Sequence, residues 1–184
     1  MSKEKFVVVS GKCRCSFLSV FQPKVWDEGT EGKYEGTFIF DSQDDIKDIV
    51  STVKAAIKAE HGDNVPDMPM PWKKGDDCVD KEGKVRDGYE GKIVIRASSK
   101  FQPVIIDQNV KVIEDLDSDK LQSGDYVKVK LEAYCWEYAG KKGVTLYLKA
   151  IQLVEVGERF GGGANDTSGF DVVAGGSGGG DLFI

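Results

Sequence analysis

Short runs in which apolar and polar residues alternate occupy most of the chain and predict a mainly β protein. The alternation is cleanest at 33–40, where every second residue from Tyr34 to Phe40 shares one face. The other predicted strands are residues 6–20, kinked at Gly11 and ended by Gln22-Pro23, then 91–98, 104–106, 110–113, 126–138 and 144–156. The last two give the strongest hairpin signal and are joined by a predicted loop at 139–143.

One amphipathic helix is predicted at residues 42–62. Ser42 followed by Asp45 is a capping-box pattern, and Gly62 is a natural helix stop. Five apolar residues follow helical spacing and form one stripe: Ile46, Ile49, Val50, Val53 and Ile57. We expect this stripe to plug one end of a barrel, because one helix among six or seven short strands is typical of a small OB-type barrel.

Two segments lack this periodicity. Residues 63–90 contain Pro66, Pro69 and Pro71 followed by a glycine- and charge-rich stretch, so we expect a long loop that is either functional or disordered. From residue 161 onward the chain is rich in Gly, Ser and Asp and has no Lys or Arg, which predicts a flexible tail. The predicted organisation is an OB-type domain at 1–160 and a mildly acidic tail at 161–184.

The sequence contains no pattern that indicates catalysis, a metal or a cofactor. Nucleophile-elbow, phosphate-loop and zinc-protease motifs are absent, and His61 is the one histidine. Four cysteines are expected to be reduced, three of them buried and one in a loop, with a four-cysteine zinc site as the alternative: Cys13, Cys15, Cys78 and Cys135. No apolar run approaches the ~18 residues of a membrane span and no signal-peptide pattern is seen, so we expect a cytoplasmic protein.

The predicted strand at 126–138 carries the most informative chemistry. One face holds small apolar residues that suit a barrel interior: Val127, Val129, Leu131, Ala133 and Cys135. The opposite face combines cations with aromatic rings: Tyr126, Lys128, Lys130, Glu132, Tyr134, Trp136 and Tyr138. Single-stranded nucleic acid is bound by this combination, since cations track the phosphates and rings stack on the bases. The alternative is that the helix or the 63–90 loop covers these aromatic residues.

The distribution of charge along the chain is compatible with a basic groove. The net charge of −6 alone argues against nucleic acid, but three of the negative charges lie in the tail, on Asp166, Asp171 and Asp181. Basic residues come in pairs that would form a groove if they converged on one face: Lys12 with Arg14, Lys92 with Arg96, and Lys141 with Lys142 in the predicted hairpin loop.

The final residues, Asp181, Leu182, Phe183 and Ile184, place an acid before exposed apolar side chains at the end of a glycine linker. We interpret them as a short motif that docks into a pocket on partner proteins. The alternative is a frayed terminus without a role. Because the tail carries only three charges, we expect its deletion to leave DNA affinity intact or slightly tighter.

Several motifs, in consistent order over roughly residues 5–163, resemble the OB-fold single-stranded DNA-binding proteins of tailed phages and prophages. They are residues 11–16 with 20–24, 33–40, 95–100 with 103–107, 123–127 with 133–134 and 140–144, and 157–163. The resemblance implies sequence-tolerant binding of single-stranded DNA during phage replication or recombination, inside an infected or lysogenic bacterial host. It also implies that the partners of the tail are phage or host replication and recombination proteins. Residues 63–90 match weakly, and the tail has fewer acids near its end than the tails of bacterial single-strand binders.

The sequence therefore predicts a binding protein that covers single strands and has no enzymatic activity. The residues expected to meet phosphates are Lys12, Arg14, Arg96, Lys100, Lys128, Lys130, Lys141 and Lys142. Those expected to stack on bases are Tyr134, Trp136 and Tyr138, with Tyr34, Phe101 and Trp72 as weaker candidates. An OB-type module that docks a protein through the same aromatic face is the main alternative, and a nuclease or recombinase subunit is a third.

Overall fold

A computed structural model describes residues 5–158 and residue 160. Within this part the chain forms eight strands and one α-helix: β1 Phe6–Val9, β2 Cys13–Lys24, β3 Lys33–Phe40, α1 Lys47–His61, β4 Trp72–Lys74, β5 Ile93–Ser99, β6 Val104–Ile106, β7 Tyr126–Tyr138 and β8 Lys141–Glu155. The predicted tail at 161–184 and its docking motif lie outside the described residues.

The strands pair into a ring, because β7 contacts strands from both ends of the sheet. Along the ring β2 pairs with β3, β3 with β5, β5 with β8, and β8 returns to β7, which also pairs with β2. Two of these seams are narrow: β2 meets β7 through Cys13↔Val127 and Arg14↔Tyr126, and β5 meets β8 through Ser98↔Tyr147. The predicted class, a mainly β OB-type fold with one α-helix, is confirmed, and the ring is partly open.

Alternating residues of the ring strands point inward and form one core. The largest fully buried side chains include Phe38, Ile95, Leu131, Leu148 and Ile151. The predicted inward face of β7, from Val127 to Cys135, is buried as expected. This confirms the strand periodicity and fixes the opposite face of β7 as the solvent side.

The helix packs against β1 and β7, and its apolar stripe joins the same core. Ile49, Val53 and Ile57 are buried as predicted. The Ser42 N–H donates to the Asp45 carboxylate at 2.9 Å, which is half of the predicted capping box. A 3₁₀ turn at Asp44–Ile46 occupies the predicted first turn, so the α-helix begins at Lys47 and ends before Gly62.

The first predicted strand is two strands, β1 and β2, separated at residues 10–12. The backbone there remains tied to β7, because the Ser10 hydroxyl accepts the Val129 N–H at 3.0 Å. The prediction that Gln22 and Pro23 end the strand is wrong, since β2 continues to Lys24. Proline is tolerated because it lies in the irregular stretch between Ser19 and Lys24, where the register with β3 shifts.

The predicted long loop at 63–90 contains a strand, β4, which pairs with β5. Beyond it, Val79 and Val85 form an isolated bridge. Tyr89 packs with Ile39 and Val94 into a second, smaller hydrophobic cluster on the solvent side of β3 and β5. The segment is therefore partly structured and folds over one end of the sheet.

Two further predictions near the C-terminal strands are wrong. Residues 110–113 form no strand and contribute only the isolated bridge Ile106↔Val112. The hairpin turn is two residues, Ala139 and Gly140, both with positive φ (51° and 78°), which is the tight turn that suits the twist of the strands. Lys141 and Lys142 consequently lie on β8 and not in a loop.

Cys13, Cys15 and Cys135 are buried and Cys78 is half-buried in the 63–90 segment, as predicted. Over residues 5–158 and 160, no group of His, Cys, Asp and Glu is arranged to hold a metal ion. In the same part of the chain no helix has the length and apolar character that a bilayer crossing requires.

Candidate nucleic-acid interface

The aromatic row of β7 faces solvent. Tyr134, Trp136 and Tyr138 are exposed, with Tyr138 reaching 80%. Lys128 and Lys130 are exposed on the same side of the strand. The alternative that α1 or the 63–90 segment covers this row is wrong for the described residues. The solvent side of β7 therefore presents aromatic rings and lysines together, as the sequence predicts.

Strand β8 extends this row with a residue that the sequence analysis did not select. Tyr147 lies 5.7 Å from Tyr134 between ring centroids. Trp136 rests on Gly143, its registered partner, where a Cβ would come 2.5 Å from the ring. Tyr147 was missed because an isolated tyrosine among apolar and polar residues on a strand gives no distinctive pattern.

A second aromatic centre forms around Trp26, in the connection from β2 to β3. The Lys24 ammonium lies 3.9 Å and the Arg96 guanidinium 5.5 Å from the indole centroid. Trp26 remains 61% exposed. Cations over an indole ring are attracted by its quadrupole and hold it in place.

Glu35 on β3 organises the two cations. Its buried carboxylate accepts a hydrogen bond from Arg96 at 2.8 Å and pairs with Lys24 at 3.7 Å. The carboxylate therefore fixes where the two side chains stand beside Trp26. Arg96 is among the residues predicted from the sequence, whereas Trp26, Lys24 and Glu35 are not. An aperiodic connection and a lone acid give no signal without the register of β2, β3 and β5.

The two aromatic centres share one surface, the outer face, meaning the solvent side of β2, β3, β5, β8 and β7. A hollow of about 530 Å³ is lined by Trp26 and Arg96 and also by Thr145 of β8. Thr145 is the registered partner of Tyr134, and Ser98 of β5 is that of Tyr147. A chain lying along this surface can thus contact the rings of both centres.

The outer face continues past Trp26 toward the 63–90 segment. A hollow of about 380 Å³ joins Trp26 and Arg96 to Lys73, Phe17 and Arg86. Tyr89 borders it and donates its hydroxyl hydrogen to Ser16 Oγ at 2.9 Å. Burial raises the pKa of Tyr89 above its usual range, so this hydroxyl remains a neutral donor.

Two acidic side chains of β7 pair with lysines of β8. Glu132 pairs with Lys149 at 3.3 Å, and Glu137 lies 3.9 Å from Lys142. Lys141 is the registered partner of Tyr138 and lies beside the aromatic row, whereas Lys142 is the registered partner of Glu137 and lies on the opposite face of the hairpin. The one acid in the predicted row of cations and aromatic rings on β7, Glu132, is therefore paired with a cation.

The remaining predicted cations are more dispersed. Arg14 donates to the carbonyl oxygens of Gly124 and Glu158 and lies 3.9 Å from the centroid of the Phe160 ring. Lys12 pairs with Glu155 at 3.4 Å. Arg14 thus fastens the end of the described chain to β2, and a role on DNA stays a prediction for both residues.

The weaker aromatic candidates are divided between core and turn. Tyr34 and Trp72 are half-buried, and Trp72 packs against the main core. Lys100 and Phe101 occupy the turn after β5, where Phe101 is 81% exposed. Of this set, only the turn residues offer a largely accessible surface.

Sequence similarity connects the chain with phage proteins. The model of a family described as "Enterobacter phage Enc34, ssDNA-binding protein" matches residues 6–179. The protein p50 of Acyrthosiphon pisum secondary endosymbiont phage 1 is 28% identical over 167 residues, which are 86% of this chain and 89% of that protein.

Solved structures share the fold. The single-stranded DNA-binding protein of bacteriophage Enc34, determined in complex with ssDNA, has a TM-score of 0.70 and 21% identity, covering 84% of this chain and 89% of that one. The T7 protein gp2.5, a single-stranded DNA binding protein, has a TM-score of 0.56 and 17% identity, covering 90% and 98%.

Proposed function

The chain belongs to the family of the single-stranded DNA-binding protein of Enterobacter phage Enc34, and from this premise we propose that it binds single-stranded DNA through its outer face. Binding is stoichiometric and needs no cofactor. The protein coats exposed strands in phage replication or recombination and keeps them unpaired.

The observation that carries this proposal is the cluster of Lys24, Arg96 and Glu35 around Trp26. The indole ring is more than half exposed, yet it is held between fixed charges. Such a ring can receive a nucleobase without first being ordered, and each stacked base contributes about 1–3 kcal/mol. The same cations can meet the phosphates on either side of that base.

The tyrosine pair Tyr134–Tyr147 and the Trp136 ring extend the stacking surface. Stacking tolerates any base, because every base has a π-face, so this arrangement supports sequence-tolerant binding. Lys128, Lys130, Lys141 and Lys142 are proposed to meet phosphates along β7 and β8. Lys100, Phe101 and Tyr138 are proposed as contacts at the ends of the track.

The tail tip at Asp181–Ile184 is proposed to dock on replication or recombination partners. The proposal rests on composition alone: an acid and three apolar residues follow a glycine-rich linker. Removing residues 182–184 should leave affinity for isolated single strands unchanged, while binding to a partner is lost.

The test is a titration of labelled oligo-dT into the full chain, followed by anisotropy and tryptophan fluorescence, with duplex DNA in parallel. Binding should quench the exposed indoles, and log K should fall with log salt at a slope near −0.7 per phosphate neutralised. Absence of binding, or a flat salt response, would favour the protein-docking module. As a control, Leu116→Ala removes a 98% exposed side chain between β6 and β7, outside the outer face, and should bind oligo-dT as the wild type does.

A further inference from the structure

Phe17 on β2 is held in a backbone conformation that aromatic residues rarely adopt. Its φ of 47° lies in the left-handed region, where Cβ crowds the following carbonyl oxygen. Here the register of β2 with β3 shifts between Ser16 and Ser19. A bulge of this kind redirects a side chain, and the Phe17 side chain is 51% exposed.

The residues on either side of Phe17 hold this conformation in place. Ser16 Oγ accepts a hydrogen bond from the Tyr89 hydroxyl at 2.9 Å. The Leu18 N–H, released from the sheet by the bulge, donates to Ser123 Oγ at 3.1 Å. Neither bond uses the Phe17 side chain, so the bulge itself does not require a phenyl ring. Glycine would adopt the same φ without strain.

The surroundings of the ring fit a flat, uncharged ligand. The Arg86 guanidinium lies 4.9 Å from the Phe17 centroid, and both residues line a hollow of about 420 Å³. Asp80 and Asp87 line it together with Lys84 and Arg86, so two negative charges balance two positive ones. A phosphate gains little from such a balanced site, whereas a nucleobase can stack there and use its polar edge.

This hollow adjoins the proposed DNA track. Phe17 and Arg86 also line the neighbouring hollow that contains Trp26 and Arg96. A strand that stacks one base on Trp26 can therefore continue over Arg86 to Phe17. The bulge places the ring at the end of a surface that already carries cations and an exposed indole.

We infer that Phe17 is a base-stacking platform and that the hollow beside it receives the nucleobase stacked on its ring. The inference rests on the proposed function and adds a defined base site to it. The strained conformation at residue 17 thereby has a role in binding that the fold does not require.

Three variants test this inference. Phe17→Gly removes the ring and the strain, and Phe17→Tyr keeps an aromatic ring. Val110→Gly is the matched control, because Val110 also has a positive φ (62°) and a 68% exposed side chain. Val110 lies in the turn after β6, away from the hollows that adjoin Phe17. Each variant is compared with the wild type in oligo-dT affinity and in urea unfolding.

Phe17→Gly should lose about 5- to 150-fold in affinity, the loss of one stacked base, without a lower unfolding midpoint. Phe17→Tyr and Val110→Gly should bind as the wild type does. Wild-type affinity in Phe17→Gly would overturn the inference, and so would a lower unfolding midpoint that Val110→Gly does not share, since the ring would then serve the fold. If the wild type itself fails to bind oligo-dT, the proposed function fails first.

Discussion

The indole of Trp136 on β7 lies directly against the backbone of Gly143 on β8. The two residues are registered partners, and a Cβ at residue 143 would come within 2.5 Å of the ring. The absence of a side chain at residue 143 is what lets the ring come this close to the backbone of β8, while Trp136 stays 37% exposed. This contact sets the geometry of the proposed stacking row.

Gly143→Ala should therefore displace the Trp136 ring and weaken oligo-dT binding by about 1 kcal/mol, the low end of the contribution of one stacked base. Tryptophan fluorescence should shift as the ring becomes more exposed. Gly11→Ala is the control, because a Cβ at Gly11 meets nothing within 4 Å. Equal affinity in both variants would show that the position of the ring does not matter for DNA.

Trp136→Ala and Trp72→Ala should separate binding from folding. Trp136 lies on the solvent side, so its removal should cost about 1–3 kcal/mol of DNA affinity with little loss of stability. Trp72 packs on the core, so its removal should lower the free energy of unfolding by about 2–3 kcal/mol, somewhat below the cost for a fully buried ring. Urea unfolding and oligo-dT titration measure both quantities. Unfolding of Trp136→Ala would mean that the ring is a core residue.

Much of this fold could be predicted from the sequence, because strand alternation follows directly from which face is buried. The exact bounds of β3 and the inward and outward faces of β7 are examples. The two-residue turn at Ala139–Gly140 could not be predicted, because the glycines at both ends of AGKKG are equally compatible with a five-residue loop. The lysines after it were consequently placed in a loop.

The site could be predicted only in part, because its other half arises from tertiary contacts. Trp26 lies in an aperiodic connection. Its proposed role in base stacking depends on Arg96 and Glu35, which the pairing of β3 with β5 brings beside it. Phe17 depends on a bulge, which is set by bonds to Tyr89 and Ser123 far along the chain. No local pattern encodes these relationships.

Glu35→Gln should tighten binding at low salt. The substitution frees Lys24 and Arg96 from a buried negative charge, so the slope of log K against log salt should steepen by up to about 0.7. Stability should change by less than about 1 kcal/mol, because both cations are partly exposed. Asp117→Asn makes the same charge change at a pair with Lys120 and should leave binding nearly unaltered. Weaker binding in Glu35→Gln would contradict this prediction and show that the positions that the carboxylate gives to the two cations matter more for DNA than its negative charge.

Stability should fall at alkaline pH because of two buried thiols. Burial raises the pKa of Cys15 to about 12, and burial also raises the pKa of Cys13 far above its usual range. Since the unfolded thiols ionise near pH 8.5, their contribution is complete below that pH and is lost as pH rises, at about 1.4 kcal/mol per pH unit for each thiol.

Urea unfolding of the wild type and Cys15→Ala between pH 8 and 10.5 tests this dependence. Above pH 9 the free energy of unfolding should fall with pH in both proteins. The slope should be smaller in the variant, by about 1.4 kcal/mol per pH unit. Other ionising groups are common to both proteins and cancel in the difference. Parallel curves would mean that the Cys15 thiol is accessible to solvent in the folded state.

The most direct measurement is photocrosslinking of oligo-dT carrying 5-iodouracil to the full chain, with the attached peptides identified by mass spectrometry. We expect crosslinks on the outer face, at Trp26, at Tyr134 or Tyr147, at Trp136 and at Phe17, all suppressed by unlabelled oligo-dT. Crosslinks confined to α1 or to the region between β6 and β7, with these aromatic residues unlabelled, would contradict it.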